Sequence, residues 1–298
     1  MTLRELITQH TMSVTGLACL GARLDAIASN RPLDPALDAR VTEVLDVMGM
    51  SGALEGVTAP EAGQFCNEIR QVLACDESLL YAESRATSWI PNDKQVLQSV
   101  GDFSRGFARG LTRMFIPQLD GLQARLAADG AAFLDVGVGV AGLACEMATL
   151  WPKLRITGLE VWAPSLALAH ATVAAAGLAD RVTLREQAAE TLADEDAYDL
   201  AWLPIIFMPQ KIVPASFASA LRALRPGGWL VTSLANIEGT DASAAMWRLR
   251  TTMFGGPMWT LGELRAQLAT AGFADVRVLP TPPGAPALVA ARRGYSAS

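Results

Sequence analysis

A run of glycines at the point where a strand pattern changes into a helix pattern constrains this chain more than any other feature. The segment 133–142 reads FLDVGVGVAG, with apolar residues before the glycines and a helical pattern after them. Glycines at such a junction let a ligand approach the backbone, and the N-terminus of the following helix presents free N–H groups. Glu160 follows 23 residues after Gly137, at the predicted end of the next strand, where a carboxylate can hold ribose hydroxyls. The segment therefore predicts binding of a cofactor that contains a nucleoside.

Short apolar or β-branched runs alternate with helical patterns throughout residues 128–298. Alternation of this kind indicates parallel strands that are joined by right-handed crossovers, with helices on both faces of the sheet. The last two runs flank a Pro-rich turn and predict an antiparallel hairpin. The expected fold is α/β: a Rossmann-like, doubly wound, mostly parallel seven-stranded sheet with an antiparallel last strand. The strands are predicted at 132–136, 155–161, 182–184, 199–203, 229–234, 273–279 and 287–291.

Residues 1–127 carry no strand signal and form an all-α region in this prediction. Apolar residues recur there at spacings of three, four and seven, as on one face of a helix. The first stripe ends at Arg31-Pro32, Thr58 and Glu61 have the spacing of a capping box, and Asn92 or Asp93 is placed to cap a further helix. We expect the domain boundary near residue 127.

Composition restricts the partners of the chain. Its formal charge is −6, which disfavours a protein that binds the phosphate backbone of nucleic acids. The first residues carry charges, and no later apolar run is long enough for a membrane span, so neither secretion nor membrane insertion is expected. The four cysteines form no C-x-x-C pair and have no neighbouring histidine, so we expect a cytoplasmic protein with reduced thiols and no metal site.

Two motifs resemble those of class I S-adenosylmethionine-dependent methyltransferases. Asp135 stands before the first glycine and gives the order D-x-G-x-G. Residues 224–231 read LRPGGWLV, which is similar to the turn-and-strand segment that precedes the fifth strand in this family. The closing antiparallel hairpin fits the same family. The resemblance covers residues 110–292 and implies S-adenosylmethionine as the cofactor.

The resemblance also implies roles for individual residues. Gly137, Gly139 and Ala141 would face the methionine part of the cofactor, Asp135 its ammonium group and Glu160 its ribose. The remaining implied positions are Gln187 and Ala188 for adenine, and Leu203 with Pro204 beside the donor methyl group. The chain departs from the family where Ala141 replaces a third glycine and where Ala188 replaces an aspartate, so Gln187, Glu190 or a backbone carbonyl would have to bind the adenine amino group.

An apolar pocket for a small organic acceptor is the expected substrate site. The stretch after the fourth strand lacks the D/N-P-P-Y/F pattern of enzymes that methylate exocyclic nitrogens, and its lining is apolar. Other apolar residues, among them Phe254, lie in segments able to close over the cleft. The candidates for acceptor contact are Trp89, Phe103, Phe107, Trp202, Phe207 and Trp247.

Catalysis is expected to depend mainly on proximity and orientation, since the chain offers no obvious base. The two histidines, His10 and His170, are interpreted as structural or exposed. Glu238 and Asp241 are the candidate bases, because a carboxylate desolvated against an apolar wall can accept a proton. In small-molecule methyltransferases, added N-terminal helices form a lid over the acceptor or a homodimer interface, and both roles stay open here.

Two other functions remain as alternatives. A nicotinamide-dependent oxidoreductase would also use Glu160 to bind ribose, although Asp135 and the Pro-Gly-Gly turn argue against it. The second alternative is a methyltransferase-like protein that binds the cofactor without transferring its methyl group. Within the methyltransferase interpretation, O-, N-, C- and S-methylation are all open.

Overall fold

The computed structural model describes residues 1–81, 89–91, 93–282 and 285–295. Its contacts divide the chain into two compact units, residues 1–78 and residues 79–298. This division lies before residue 127, because the helix that follows Asp93 packs within the second unit, against the helix that follows the glycine segment. Within the described ranges, no helix is long and apolar enough to cross a membrane.

The first unit consists of three helices that begin and end at the signals in the sequence. Thr2 and Glu5 form a capping box at the start of the first helix, which ends at Asn30 in the left-handed conformation. Asp34 caps the second helix, and Thr58 donates a backbone N–H to Glu61 at the start of the third. The helices are α1 (Leu3–Ser29), α2 (Pro35–Val47) and α3 (Ala59–Leu80).

A small core holds these three helices together. Leu24 of α1 packs with Ala62 and Cys66 of α3, and Arg23 of α1 donates to Asp38 of α2 over 2.6 Å. Much of the apolar surface of α1 nevertheless stays exposed to solvent, and an apolar cavity of about 410 Å³ opens between α1, α3 and the segment that precedes α3. The unit therefore presents more apolar surface than its own core uses.

The second unit is built on a seven-stranded sheet in the order β3-β2-β1-β4-β5-β7-β6, in which β7 is antiparallel to both neighbours. The fold predicted from the sequence is confirmed. The strand order reverses between β1 and β4, so the clefts beyond the carboxyl ends of these strands are the expected ligand site. The strands are β1 (Ala132–Val136), β2 (Arg155–Glu160), β3 (Val182–Glu186), β4 (Tyr198–Leu203), β5 (Leu224–Leu234), β6 (Ala274–Leu279) and β7 (Ala287–Arg292).

Helices cover both faces of this sheet. Phe133 and Leu200 belong to the apolar cluster on one face, while Leu134 and Ala201 belong to the cluster on the other, as the alternation of side chains along a strand requires. The helices of the second unit are α4 (Lys94–Gly110), α5 (Leu122–Ala127), α6 (Gly142–Leu150), α7 (Ala163–Ala175), α8 (Val213–Ala223), α9 (Ala242–Phe254) and α10 (Leu261–Ala271).

The Pro-Gly-Gly segment differs from its prediction as a turn before the fifth strand. It lies inside β5 as an irregularity: Leu224 pairs with Tyr198 and Trp229 pairs with Leu200, so β5 has extra residues there. Gly227 has a φ of +76°. Its N–H donates to the carbonyl of Arg293, and the N–H of Arg293 donates to the carbonyl of Gly228. The glycines thus let β5 bulge while its backbone stays paired.

Helix α4 lies very close to the beginning of α6. A Cβ atom added to Gly142 would lie 1.9 Å from the carbonyl oxygen of Gly101, and one added to Gly101 would lie 2.0 Å from a methyl carbon of Val140. Further along the same pair of helices, Arg109 Nε donates to Glu146 Oε1 over 2.7 Å. Two glycines therefore permit α4 to pack directly over the residues that follow the glycine loop.

We predict that Gly142→Ala lowers the free energy of unfolding by about 1–3 kcal/mol, because the added methyl group overlaps the backbone of α4. The measurement is the urea midpoint followed by circular dichroism. Gly110→Ala is the control, since a Cβ atom at that helix end meets no atom of the described residues within 4 Å. Equal midpoints for Gly142→Ala and the wild type would contradict the close packing of these helices.

Candidate active site

The glycine loop after β1 is held open by left-handed backbone conformations. Gly137, Gly139 and Ala141 have φ values of +68°, +59° and +65°. A non-glycine residue in this conformation costs on the order of 1 kcal/mol, which explains why a third glycine is usual where Ala141 stands. Val138 N–H donates to the carbonyl of Leu159 over 2.9 Å, so the loop is attached to the end of β2.

Glu160 attaches the loop to β2 a second time through its side chain. Its Oε2 accepts the N–H of Gly139 over 3.0 Å, and its Oε1 accepts the N–H groups of Val161 and Trp162 over 2.8 and 2.9 Å. Burial raises the pKa of Glu160, and these three donors oppose that rise. A carboxylate has about four acceptor sites, so Glu160 retains acceptor capacity for a ligand hydroxyl.

Asp135 is a buried carboxyl group with an unused acceptor. Its exposed fraction is 1%, and Oδ2 accepts no hydrogen bond from the described residues. Burial, and to a lesser extent the charge of Glu160, raise the pKa of Asp135 to about 8. Trp202 is its register partner on β4, and the ring of Phe107 of α4 packs against Trp202 at a tilt, with ring centroids 4.6 Å apart. This aromatic pair therefore lies on the face of the sheet that carries Asp135.

The predicted adenine and methyl-group positions lie at the ends of β3 and β4. Gln187 donates its backbone N–H to the carbonyl of Glu160 over 3.1 Å and its amide Nε2 to the carbonyl of Thr191 over 3.2 Å. Ala188 is half-buried beside it. Leu203 is fully buried in the core, whereas the ring of Pro204 lies 3.9 Å from the position of a Cβ atom on Gly137. Pro204 is therefore the residue of this pair that borders the glycine loop.

Three aromatic rings form a cluster near the end of β4. Trp89 lies 5.0 Å from Phe207 and 5.2 Å from Phe254, and the two phenylalanine rings lie 5.0 Å apart. Pro91, two residues after Trp89, accepts a hydrogen bond from the indole Nε1 of Trp162 over 2.9 Å. Residues 89–91 thus connect the aromatic cluster of Trp89, Phe207 and Phe254 to the residues that follow Glu160.

The other acceptor candidates lie elsewhere in the second unit. Phe107 and Trp202 pack on the core beside Asp135. Phe103 is half-buried on α4, and Trp247 is half-buried on α9, where the guanidinium of Arg250 lies 5.5 Å from its ring centroid. Ring contacts join four of the six candidates in pairs, Trp89 with Phe207 and Phe107 with Trp202.

The candidate bases lack the desolvation that their proposed role requires. Glu238 and Asp241 are both exposed, and Asp241 caps α9 by accepting the N–H of Ala244 over 2.8 Å. His170 is exposed on α7. Across the described ranges, no group of three or more potential ligand side chains could hold a metal ion.

Sequence reasoning missed two structural features of the site. The bond between Gly139 and Glu160 joins the loop after β1 to the end of β2, and the bond between Trp162 and Pro91 joins residues 71 positions apart. The only sequence signal for the second bond was that Trp162, a hydrogen-bond donor, stands two residues after Glu160. Neither partner could be chosen from spacing alone.

The chain matches a family model described as a methyltransferase domain over residues 133–228. Its fold resembles that of the pyocyanin biosynthetic protein PhzM, at a TM-score of 0.65, 18% sequence identity and 98% coverage of each chain. An O-methyltransferase family protein from Burkholderia thailandensis has a TM-score of 0.61 at 14% identity, with 100% of this chain and 99% of that chain covered. PigF, solved with SAH, has a TM-score of 0.61 at 18% identity, with 98% and 99% covered.

These comparisons bear on the domain and on the fold. The family match begins in β1 and includes the glycine loop and Glu160, so the prediction of a methyltransferase domain is confirmed. At the identities given, likeness to the solved structures establishes the fold alone.

We predict that the wild type loses stability as pH rises from about 5 to 8 relative to Asp135→Asn. The carboxyl titrates near 8 in the folded chain and near 3.9 when unfolded. Folding therefore favours the protonated form of Asp135. Its contribution to the free energy of unfolding is lost as pH rises toward the pKa of the folded protein. The expected difference changes by roughly 1 kcal/mol per pH unit in urea unfolding at several pH values. Parallel stability profiles for the two proteins would contradict the burial of Asp135.

Proposed function

We propose that this chain, which carries a methyltransferase domain over residues 133–228, transfers a methyl group from S-adenosylmethionine to a small organic acceptor in specialised metabolism. The observation that carries the proposal is the position of the family match. It covers the glycine loop, Asp135 and Glu160, which together form a site with an unused buried acceptor beside a loop that a ligand can approach.

The residues of this site fit the cofactor group by group. Glu160 has acceptor capacity for ribose hydroxyls, and Oδ2 of Asp135 suits the ammonium group at the other end. Gly137 and Gly139 are proposed to border the methionine part, and Gln187 and Ala188 are proposed to contact adenine. S-adenosylmethionine supplies an electrophilic methyl group on a sulfonium centre. PigF, a structural neighbour, was solved with SAH, which supports this choice of cofactor.

The cluster of Trp89, Phe207 and Phe254 is proposed to bind the acceptor. Its rings are close together, and Pro204 connects this end of β4 to the glycine loop. An apolar wall of this kind excludes water and orients a small organic molecule. Phe103, Phe107, Trp202 and Trp247 remain proposed as further contacts. Transfer then depends on holding the acceptor atom in line with the methyl group. The proposal covers an oxygen, nitrogen or carbon acceptor atom.

The methyltransferase match removes the support for a nicotinamide-dependent oxidoreductase. A cofactor-binding protein without methyl transfer remains the second candidate, because Glu238 and Asp241 are exposed and no desolvated base accompanies the aromatic cluster among the described residues. Methyl transfer to an acceptor that carries no proton at the reacting atom needs no base, so the first proposal does not require one.

Partners and location complete the proposal. The charge of −6 supports a function without nucleic acid, and four free cysteines support a cytoplasmic location. A homodimer is proposed for the first unit, where Leu3, Ile7 and Val14 form an exposed apolar stripe on α1. Surface of this kind is rare on monomers unless it binds a partner.

Calorimetric titration with S-adenosylhomocysteine tests the cofactor, with NADH and NADPH titrated in parallel. Of these three ligands, we expect only S-adenosylhomocysteine to bind. Glu160→Ala should weaken it by about 1.5–3 kcal/mol, because charge-assisted hydrogen bonds to ribose are lost. Gly139→Val should block it, because a branched side chain at a φ of +59° distorts the loop.

Gly177→Ala serves as a control in the same titration, since it changes a glycine with a φ of +66° that lies outside the site. It should bind the homocysteine product as the wild type does. Equal affinity in all four proteins would remove the proposed cofactor site. If the wild type binds, a screen of small organic acceptors for a methyl mass increment separates transfer from cofactor binding alone.

Ile7→Glu combined with Val14→Glu should convert the proposed homodimer to a monomer, because two charges would be buried in an apolar interface. Sedimentation equilibrium measures the change in mass. Gln9→Glu with Ser13→Glu is the matched control, since both positions are exposed polar residues of α1. A monomeric wild type at micromolar concentration would contradict the homodimer.

A further inference from the structure

Asp135 and Glu160 lie on the same face of the sheet but are bonded very differently. Glu160 accepts three backbone N–H groups, which stabilise its charge. Asp135 Oδ2 accepts none from the described residues, and its side chain is almost completely buried. A buried carboxylate without donors is costly, so Asp135 is the member of the pair that holds a proton in the ligand-free protein.

Among the described residues, the elements packed against Asp135 supply no compensating cation. On β4 its neighbour is Trp202, against which Phe107 of α4 stacks. On α6 the nearby titratable group is the Cys145 thiol, whose pKa burial raises.

Charged groups of α4 and α6 form two ion pairs. Arg109 pairs with Glu146 over 2.7 Å, and Arg105 lies 3.9 Å from Asp102. Glu160 on β2 adds a second negative charge that opposes ionisation of Asp135. None of these groups therefore offers Asp135 an unpaired positive charge.

We propose that Asp135 releases its proton when the cationic end of the cofactor binds, so that cofactor binding is coupled to the release of one proton. The O–H bond of the carboxyl group breaks, the proton passes to solvent, and the carboxylate pairs with the ammonium group. The inference rests on the proposed function, because it needs a ligand with an ammonium group in this site.

The coupling makes affinity depend on pH in a defined direction. The pKa of Asp135 is about 8 in the free protein, and an adjacent ammonium group lowers it in the complex. Below pH 8 the proton must be displaced before the ion pair forms. The dissociation constant of S-adenosylhomocysteine should therefore fall about tenfold per pH unit between pH 6 and 8 and level off above that range.

Calorimetry in buffers of different ionisation enthalpy measures the released proton directly. We titrate the full-length protein with S-adenosylhomocysteine at pH 7 in phosphate, HEPES and Tris. The wild type should release close to one proton per ligand. Asp135→Asn should release almost none and should bind with nearly the same affinity from pH 6 to 8.

Two controls separate Asp135 from its neighbours. Glu160→Gln should bind more weakly but keep the pH dependence, because the exchanging carboxyl is still present. In the wild type, 5′-methylthioadenosine should bind without proton release, because this ligand has the ribose and adenine but no ammonium group.

The outcomes distinguish the two proposals. Binding of S-adenosylhomocysteine to the wild type without proton release overturns the inference and leaves the proposed function intact. Proton release that persists in Asp135→Asn and disappears in Glu160→Gln also overturns it, since the proton then belongs to Glu160. Absence of S-adenosylhomocysteine binding overturns the proposed function and, with it, the inference.

Discussion

The interaction on which the site depends is the attachment of the glycine loop to Glu160. A carboxylate at the end of β2 accepts the N–H of Gly139 and two N–H groups that follow its own strand. These bonds fix two adjacent loops, and they stabilise a charge that burial alone would disfavour. They hold the glycine loop while Gly137, Gly139 and Ala141 adopt left-handed backbone conformations.

The two buried carboxyl groups of the site, Glu160 and Asp135, differ in their hydrogen bonds. Glu160 accepts three backbone N–H groups, whereas Oδ2 of Asp135 on the same face accepts none from the described residues. The aromatic pair Phe107 and Trp202 packs against the apolar core on that face. A cationic ligand group is the partner that this arrangement lacks, which connects the packing of α4 to the chemistry of the site.

Helix α4 and the segment that precedes it link the core of the second unit to the proposed acceptor region. Gly101 and Gly142 bring α4 against α6, and Pro91 accepts a bond from Trp162 just after Glu160. Trp89 then meets Phe207 and Phe254 near the end of β4. The residues proposed to bind cofactor and acceptor are thus joined through short, specific contacts within one unit.

Local patterns in the sequence determined the helical first region, the alternating strands, the antiparallel hairpin and the cofactor loop, because periodicity, caps and glycines act over a few residues. Tertiary structure alone decided that Gly139 binds Glu160, that Trp162 binds Pro91, that the Pro-Gly-Gly segment bulges within β5, and that Glu238 and Asp241 remain exposed. The physical reason is that burial and hydrogen-bond partners depend on which distant segments pack together, and a linear pattern does not specify those contacts.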